Sequence, residues 1–332
     1  MGIRISALSF CLLLSLAAFA QQEPQPAEPN PSTESAKTND ASPGVAPENP
    51  PRPDLTPDAS GKLSQQQMQQ LFRVVAAKDM ENEKLQRNYT YIERQVESKL
   101  DKKGESKSNE VKTYEILEIY GEQVQRLISK NDKPLDEKDA AKEEEKIQKI
   151  IDKRKNESDD ERRKREEKEE KERENDRKFV TEIADAYDFK LVGSEGVNGR
   201  QAWVIDGEPR PGFQPHMKES KFLPKFHGRV WIDQNDLQLA KMDVECLDTI
   251  SWGLFLARFH KGSRFMLEQT RVNDEVWLPQ QLAVKVDARL ALLKSLDVDI
   301  EQTFRDYKKF RTSSKIVGMG EVPDSKPVPD PK

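Results

Sequence analysis

The chain has 332 residues, of which 35% are charged and 35% are hydrophobic, and its formal net charge is −5 at pH 7. This apolar fraction is low for a globular protein, and the deficit is concentrated in two polar segments, residues 21–62 and 136–178. The remaining length suits one ordinary domain. The small negative net charge provides no electrostatic basis for binding nucleic acid, so we expect no nucleic-acid partner.

An export signal is the first element of the chain. Arg4 is followed by an apolar run from Ile5 to Phe19, which ends in Ala18-Phe19-Ala20. A basic start, a short apolar run and small residues at the −3 and −1 positions are typical of a secretory signal peptide. The run is shorter than the roughly 20 residues that span a bilayer. We therefore predict a signal peptide over residues 1–20 and a periplasmic or otherwise exported mature protein; a signal anchor is the alternative.

The composition of the chain ends predicts disorder around one folded domain. Residues 21–62 are rich in Pro, Ala, Glu, Ser and Asn and contain almost no large apolar side chain. Such a segment buries too little apolar surface to offset the entropy of ordering it. We predict a disordered linker over residues 21–62, a folded domain over 63–316 and a disordered tail over 317–332.

Cysteine usage adds one constraint on the mature protein. Removal of the signal takes Cys11 and leaves Cys246 as the single cysteine, so an intrachain disulfide is excluded. Cys246 alternates with Met242 and Val244 in a predicted strand. We interpret it as a buried structural thiol, because a free cysteine behaves as a small apolar residue.

An amphipathic helix opens the predicted domain. Ser64 and Gln67 have the spacing of a capping box. Apolar residues then recur at helical spacing, at Met68, Leu71, Phe72, Val75 and Ala76. The pattern predicts a helix that lies on a core; a helix on a membrane surface is the alternative.

Strands follow the helix on both sides of the second polar segment. The predicted strands are 89–96, 110–120, 122–129, 189–197, 201–205, 229–232, 239–247 and 263–272, then two long strands over 280–293 and 296–310. Asn198-Gly199 and Asn273-Asp274 are signals for tight hairpin turns. Clean alternation, as at Leu282, Val284 and Val286, indicates antiparallel strands with one buried face.

The segment 136–178 is dense in Glu, Lys, Arg and Asp. Opposite charges recur four residues apart, as at Glu161 and Arg165, and each such pair supports a helix by about 0.2–0.5 kcal/mol. The charges alternate in sign and apolar heptad positions are missing, so neither a nucleic-acid arm nor a coiled coil is predicted. We predict an exposed helical insertion that acts as a solvated spacer; a docking surface for an envelope protein is the alternative.

Together these elements predict an α+β fold: a large curved antiparallel sheet, an unclosed half-barrel, covered by helices and carrying a long charged helical insertion. Several features occur in a characteristic order along the chain. They are the signal peptide, the Ser64 helix, the Asn198-Gly199 hairpin with Trp203-Val-Ile205, the strand from Gly228 to Asp233, Trp277-Leu-Pro279, and the closing Tyr307-Lys-Lys-Phe310. Their order resembles the periplasmic lipoprotein-carrier family of LolA, LolB and the N-terminal domain of RseB-type regulators. The resemblance covers roughly residues 63–315 outside the insertion.

That family shelters acyl chains on the concave face of its half-barrel, under a helical lid. The resemblance implies the same use here, with lipid or a lipidated protein as partner and a location peripheral to the membrane. The concave-face candidates are Trp203, Ile205, Val230, Ile232, Met242, Val244, Leu282, Val284 and Val286. Ordinary core packing is the alternative for each of them.

The sequence predicts no catalytic centre, metal or cofactor. His216, His227 and His260 are the only histidines, and none has metal-ligand spacing; phosphate-binding and nucleophile-elbow motifs are also absent. Convergence of His227 and His260 with Asp248 is the one catalytic arrangement left open. We therefore predict an exported, non-enzymatic binding protein. The alternative is an envelope interaction or sensory module with the same fold and no lipid ligand.

Overall fold

The computed structural model describes residues 53–101, 105–120, 122–252, 257–290 and 294–310, with backbone only at 251–252, 257–258, 288–290 and 294–296. The predicted signal peptide, residues 21–52 of the predicted linker and the tail over 317–332 lie outside the described residues.

The described part contains three α-helices, one 3₁₀ helix and a sheet of fourteen strands. The helices are α1 (Gln65–Gln86), α2 (Glu137–Lys155), α3 (Asp159–Ala186) and the 3₁₀ helix (Glu219–Lys225). The strands before α2 are β1 (Lys62–Leu63), β2 (Tyr89–Leu100), β3 (Ser106–Ile119), β4 (Glu122–Lys130) and β5 (Lys133–Pro134). Those after α3 are β6 (Tyr187–Val197), β7 (Arg200–Pro209), β8 (Phe226–Asp233), β9 (Leu239–Cys246), β10 (Ile250–Trp252), β11 (Ala257–Phe259), β12 (Arg264–Val272), β13 (Val276–Leu290) and β14 (Lys294–Lys309).

The strands form one antiparallel sheet that does not close. Its order is β1-β6-β7-β8-β9-β12-β13-β14-β2-β3-β4-β5, with β10 paired to β11 and β11 paired to β13. Since β1 and β5 end the path without pairing to each other, the predicted α+β half-barrel is confirmed. Two details differ from the prediction. Strand β13 begins at Val276, before the predicted start at residue 280, and the short strands β10 and β11 were not predicted.

Turn chemistry sets the hairpins locally. Asn198 and Gly199 have φ values of 49° and 77°, and they join β6 to β7. Asn273 and Asp274 have φ values of 51° and 55° and join β12 to β13. Positive φ at both central residues defines the turn that matches strand twist, which is why Asn, Asp and Gly occupy these positions.

Ordered structure begins before the predicted domain start. Leu55 is buried in the main core, and the Asp58 carboxylate accepts hydrogen bonds from the backbone amides of Ser60 and Lys62, at 2.8 and 2.9 Å. Lys62 then pairs with Lys190 of β6. Residues 53–62 were predicted to belong to the linker, and they instead pack on the domain because one apolar side chain and one turn-forming carboxylate fix them.

The predicted capping box of α1 is confirmed. Ser64 Oγ accepts from the Gln67 amide at 3.2 Å, and Gln67 Oε1 accepts from the Ser64 amide at 2.8 Å. Met68 and Leu71 are fully buried, so the predicted apolar stripe lies on the core.

The side chain of Asn82 fixes the C-terminal half of α1 to the sheet. It pairs with both backbone groups of Trp277, as a neighbouring strand would. The described β13–β14 pairs begin at Gln281, so the backbone of Trp277 lies beyond this ladder. The Trp277 amide donates to Asn82 Oδ1 at 2.7 Å, and Asn82 Nδ2 donates to the Trp277 carbonyl at 2.8 Å. Gln86 Nε2 donates to the same carbonyl at 2.8 Å. Asn82 is 3% exposed, so these bonds are shielded from water.

The charged segment forms a helical hairpin, not a single solvated helix. Helix α2 buries Ile147 against Ile119 and Val124 of the sheet. It also covers the edge strand β4: Leu127 donates its amide to Glu143 at 3.2 Å, and Lys146 donates to the Gln125 carbonyl at 3.1 Å. Unpaired strand edges invite non-native pairing, and the charged side chains of α2 satisfy this one.

An ion network holds the corner between α2 and α3. Arg154 donates to both carboxylate oxygens of Glu122 on β4, at 2.5 and 2.7 Å. Arg154 also donates to Glu157 at 3.1 Å, and Arg165 of α3 donates to both Glu157 oxygens at 3.0 Å. The network fixes the direction in which α3 leaves the corner.

Glu93 is a carboxylate buried on the apolar face of β2. It is 1% exposed and accepts from Gln302 Nε2 at 2.6 Å and from Gln125 Nε2 at 3.1 Å. Burial raises the pKa of Glu93, and the two amide donors only partly counter this. The folded protein therefore binds a proton at Glu93 more tightly than the unfolded chain does.

We expect Asn82→Ala to lower the free energy of unfolding by about 2–4 kcal/mol, because it leaves buried backbone groups of Trp277 without a full set of partners. Urea denaturation measures this change. The control is Gln66→Ala, an exposed amide on the same helix, with an expected effect within about 0.5 kcal/mol. Equal effects of the two substitutions would contradict the anchoring role.

We expect Glu93→Gln to make the protein more stable at neutral pH and to flatten the pH dependence of its stability. The raised folded-state pKa means that stability is fully present below the unfolded pKa of Glu and is lost as pH rises through the folded pKa. Thermal unfolding between pH 4 and pH 8 follows this loss. Glu301→Gln, at an exposed position on β14, is the control. A Glu93→Gln variant less stable than the wild type at every pH would refute the expectation.

Candidate ligand-binding cavity

The apolar concave face of the sheet is covered over β6 to β9 by α1, the C-terminal end of α3 and the 3₁₀ helix. The helical side chains that meet this face are Phe72, Val75, Ala76, Phe179, Val180, Ile183 and Leu223. Phe72 of α1 contacts Phe189 of β6 edge to face, with ring centroids 5.3 Å apart. The covering layer is therefore apolar on its inner side, as the spacing of these residues on each helix requires.

Polar contacts position the covering helices. Asp185 of α3 accepts from Gln65 and Gln69 of α1, both at 2.7 Å. The Tyr187 hydroxyl donates to the Leu223 carbonyl at 2.6 Å, which ties the end of α3 to the 3₁₀ helix. Burial raises the pKa of Tyr187, so this phenol stays neutral and keeps its donor role.

A cavity of about 150 Å³ lies between the covering helices and the sheet. The sheet contributes Tyr187, Phe189, Ile205, Gly207, His227, Gly228, Val230, Ile232, Leu239, Met242 and Val244 to its wall. Asp79 of α1 and His227 are the ionisable residues beside Tyr187 in this wall. A wall of this composition suits an apolar ligand whose polar part stays at the rim.

The cavity has a closed end and an open end along the strands. Ile205 and Ile232 are 0% and 1% exposed and form the closed end. Gly228 and Val244 are half-buried, and His227 beside them directs its ring to Glu208 and Glu245, at 3.5 and 3.9 Å. Glu208, His227 and Glu245 alternate with the wall residues Gly207, Gly228 and Val244, so these charged side chains lie on the convex face of the sheet, and the concave side of the same strands is apolar.

The seam between α1 and α3 carries like charges. The pKa of Asp176 on α3 is raised to about 6, first by burial and then by the negative charges of Glu172 and of Glu83 on α1. Arg177 lowers this pKa in part. At neutral pH the carboxylates repel one another across the seam, which weakens the contact between the two covering helices.

The structure brings together five of the nine predicted concave-face residues. Those that line the cavity are Ile205, Val230, Ile232, Met242 and Val244. The other four are not part of its wall. Trp203 and Val284 pack against the margin of the core, Leu282 is buried within it, and Val286 is half-buried.

The predicted site omitted the helical half of the wall. The concave-face candidates from the sequence did not include Phe179, Ile183 or Tyr187, which line the cavity. Phe179 and Ile183 belong to α3, which continues without a break from the charged segment to Ala186, and Tyr187 begins β6. The signal was available in their helical spacing, but only tertiary structure shows that they face the concave sheet.

The histidines have separate surroundings. His216 lies 3.7 Å from Glu182, and His260 lies 4.0 Å from Asp287. Asp248 pairs with Lys225 at 2.8 Å, so the described contacts do not join His227 and His260 to it. Within the described ranges, no group of three or more His, Cys, Asp or Glu side chains is arranged to hold a metal ion. Cys246 is buried, as predicted, and its thiol donates to the Asp248 carbonyl at 2.9 Å.

The convex face of the same strands is polar. Asp206, Arg229, Asp243 and Arg264 lie at neighbouring positions on β7, β8, β9 and β12, with alternating charge. Arg229 donates to both oxygens of Asp206 at 2.5 and 2.9 Å, and Arg264 pairs with Asp243. The sheet therefore has one apolar and one charged face, as the alternation predicted.

Among the residues that the structure describes, no helix is both long enough and apolar enough to cross a bilayer.

Comparison with known proteins gives matches among solved structures. No protein-family model and no curated protein matches the chain. The chain is similar to a putative outer membrane lipoprotein-sorting protein domain from Vibrio parahaemolyticus, with 12% identity, a TM-score of 0.31, and coverage of 74% of this chain and 95% of that one. It is similar to a LolA superfamily protein from Nitrosomonas europaea, with 10% identity, a TM-score of 0.29, and coverage of 75% and 97%. For the Pseudomonas aeruginosa MucA/MucB complex the identity is 9%, the TM-score 0.19, and the coverage 70% and 94%. At these TM-scores, no functional argument rests on the similarities.

Proposed function

We propose that this chain is an exported, non-enzymatic binding protein that shelters an acyl chain, from a lipid or a lipidated protein, in the cavity under α1 and α3. The observation that carries the proposal is the cavity itself: about 150 Å³, enclosed by apolar side chains of the covering helices and of the concave sheet. Each methylene group moved from water into such a space gains about 0.8 kcal/mol. The alkyl part of a lipid therefore matches the apolar wall of the cavity.

The volume indicates that the covering helices move when a long chain binds. An engineered apolar cavity of about 150 Å³ in another protein holds a molecule the size of benzene, and a full acyl chain needs more room. Separation of α1 from α3 would provide it. The like charges of Asp176 on α3 and Glu83 on α1 lie at the contact that would have to open.

The alternative, an interaction module without a lipid ligand, would present an exposed apolar patch to its partner. The exposed large hydrophobic side chains of the described residues are Leu85, Tyr120 and Val192. They belong to α1, the β3–β4 turn and β6 and do not form one patch. The cavity therefore supports the lipid-binding function over the module.

The location follows from the N-terminal sequence as part of the same proposal. A signal peptide over residues 1–20 would export the chain and leave the linker at the N-terminus of the mature protein. The charged surface of the α2–α3 hairpin is the candidate contact for an envelope protein that supplies or receives the lipid.

Mature protein purified from an envelope fraction should retain acyl lipid, detected by native mass spectrometry and lipid extraction. We expect Val244→Gln to lose this lipid, because a buried polar group in the cavity wall costs about 1–3 kcal/mol. Val284→Gln is the matched control, since Val284 lies on the same face but outside the cavity wall. A lipid-free mass for the wild type, with no uptake of a fluorescent fatty acid, would refute the proposal and favour the interaction module.

Export is tested separately. We expect N-terminal sequencing of the mature protein to begin at Gln21, because the small residues Ala18 and Ala20 precede the predicted cleavage site. Replacing Ala20 with a bulky residue should block processing. A mature protein that still starts at Met1 would show that the segment acts as an anchor.

A further inference from the structure

The apolar faces of the two covering helices both continue into carboxylates. On α1, Val75 and Ala76 line the cavity, and the next residue of the same helical face is Asp79. On α3, Val180 lines the cavity, and Asp176 lies one turn before it. Each helix therefore presents an apolar face that becomes acidic along its length.

The two helices are antiparallel, so their acidic parts lie at the same end of the seam. At one end, Asp185 of α3 accepts from Gln65 and Gln69 of α1. At the other end, Nη1 of Arg177 on α3 lies 3.6 Å from Sδ of Met80 on α1. Asp79 precedes Met80 and Asp176 precedes Arg177, which places both carboxyl-bearing residues at this second end.

Asp79 is the one acidic residue among the described residues of the cavity wall, and it is 4% exposed. The other ionisable residues of the wall present no charge to the interior. The Tyr187 hydroxyl donates to the Leu223 carbonyl, and the His227 ring is directed to glutamates on the convex face. A carboxylate accepts several hydrogen bonds, so Asp79 can bond a ligand in addition to the protein.

Asp176 adds a second negative charge to this end of the seam. It is half-buried, and its pKa of about 6 leaves it ionised above neutral pH. The neighbouring cations are engaged elsewhere: Arg177 donates to Glu170 at 3.1 Å, and Arg87 pairs with Glu83 at 3.0 Å. A cation that reaches the seam from the cavity would therefore stabilise Asp176 in its charged form.

We propose that the cavity takes an amphiphile with a cationic head of the ammonium type, whose alkyl chain lies in the cavity and whose head binds Asp79 and Asp176 at the α1–α3 seam. This inference rests on the proposed acyl-binding function and names the class of lipid. An ammonium group donates hydrogen bonds and carries the charge that buried carboxylates need as a partner. An anionic head is repelled by the same two groups.

The test compares three probes with the same hexadecyl chain and different heads: hexadecylamine, 1-hexadecanol and hexadecanoic acid. Each displaces the neutral fluorescent probe N-phenyl-1-naphthylamine from the full mature chain at pH 7.5, below the concentration at which it forms micelles. We expect hexadecylamine to bind about tenfold more tightly than hexadecanoic acid, the scale of one hydrogen bond to a charged group. Asp79→Asn should remove most of this preference, and Asp176→Asn should reduce it.

Glu81→Gln is the matched control, because it removes one carboxylate from an exposed position of α1, two residues from Asp79. It should leave the ratio of the two affinities within about twofold of the wild type. If Asp79→Asn does not fold, as circular dichroism would show, Asp176→Asn decides alone. A wild type without preference for the amine, or variants with the wild-type ratio, would overturn the cationic head and leave the function standing. A wild type that binds none of the three probes would overturn both.

Discussion

The position of α1 across the concave face depends on one polar anchor, the pair of hydrogen bonds between Asn82 and the backbone of Trp277. The anchor occupies the place of a missing strand beside β13, so it satisfies two backbone groups that a half-barrel would otherwise bury unpaired. With Asn82 bound to Trp277, the apolar side of α1 faces the sheet. Phe72, Val75 and Ala76 then lie above β6 to β9, and the cavity forms beneath them.

The second covering helix is positioned from the opposite side of the domain. Helix α2 covers the β4 edge, and the Glu122–Arg154–Glu157–Arg165 network turns the chain into α3. A solvated helix with many ion pairs can project from the sheet and return, because it needs no core of its own. The charged segment thus determines where Phe179 and Ile183 meet the sheet, although most of its side chains other than Ile147 and the residues of the corner network are exposed.

Local chemistry explains which features could be predicted from the sequence. The Ser64 cap, the Asn198-Gly199 turn and the alternation of β13 each depend on residues close together in the chain. Asn82 looked like an ordinary polar residue of a helix, because its partner is 195 residues away. Alternation identified the apolar face but not the part that the helices cover, since every strand of a curved sheet has the same period. For this reason Ile205 and Val244 lie in the cavity wall, and Val284 on the same face does not.

Three features of the sequence are unusual for a packed sheet and its covering helices. They lie on the concave side of the sheet or in the helices that cover it. Gly207 and Gly228 leave strand positions without side chains, Glu93 is buried without a cation in its described contacts, and Asp176 meets other carboxylates where α1 and α3 join. A neutral residue would be more stabilising than the carboxylates of Glu93 and Asp176, whereas the two glycines are required by the side chains of Phe189 and Val244 that lie over them. Two of the three features border the cavity and its covering helices. These features lower the stability of the folded protein. They are expected if, as proposed, the space between the sheet and the helices opens to take up an acyl chain.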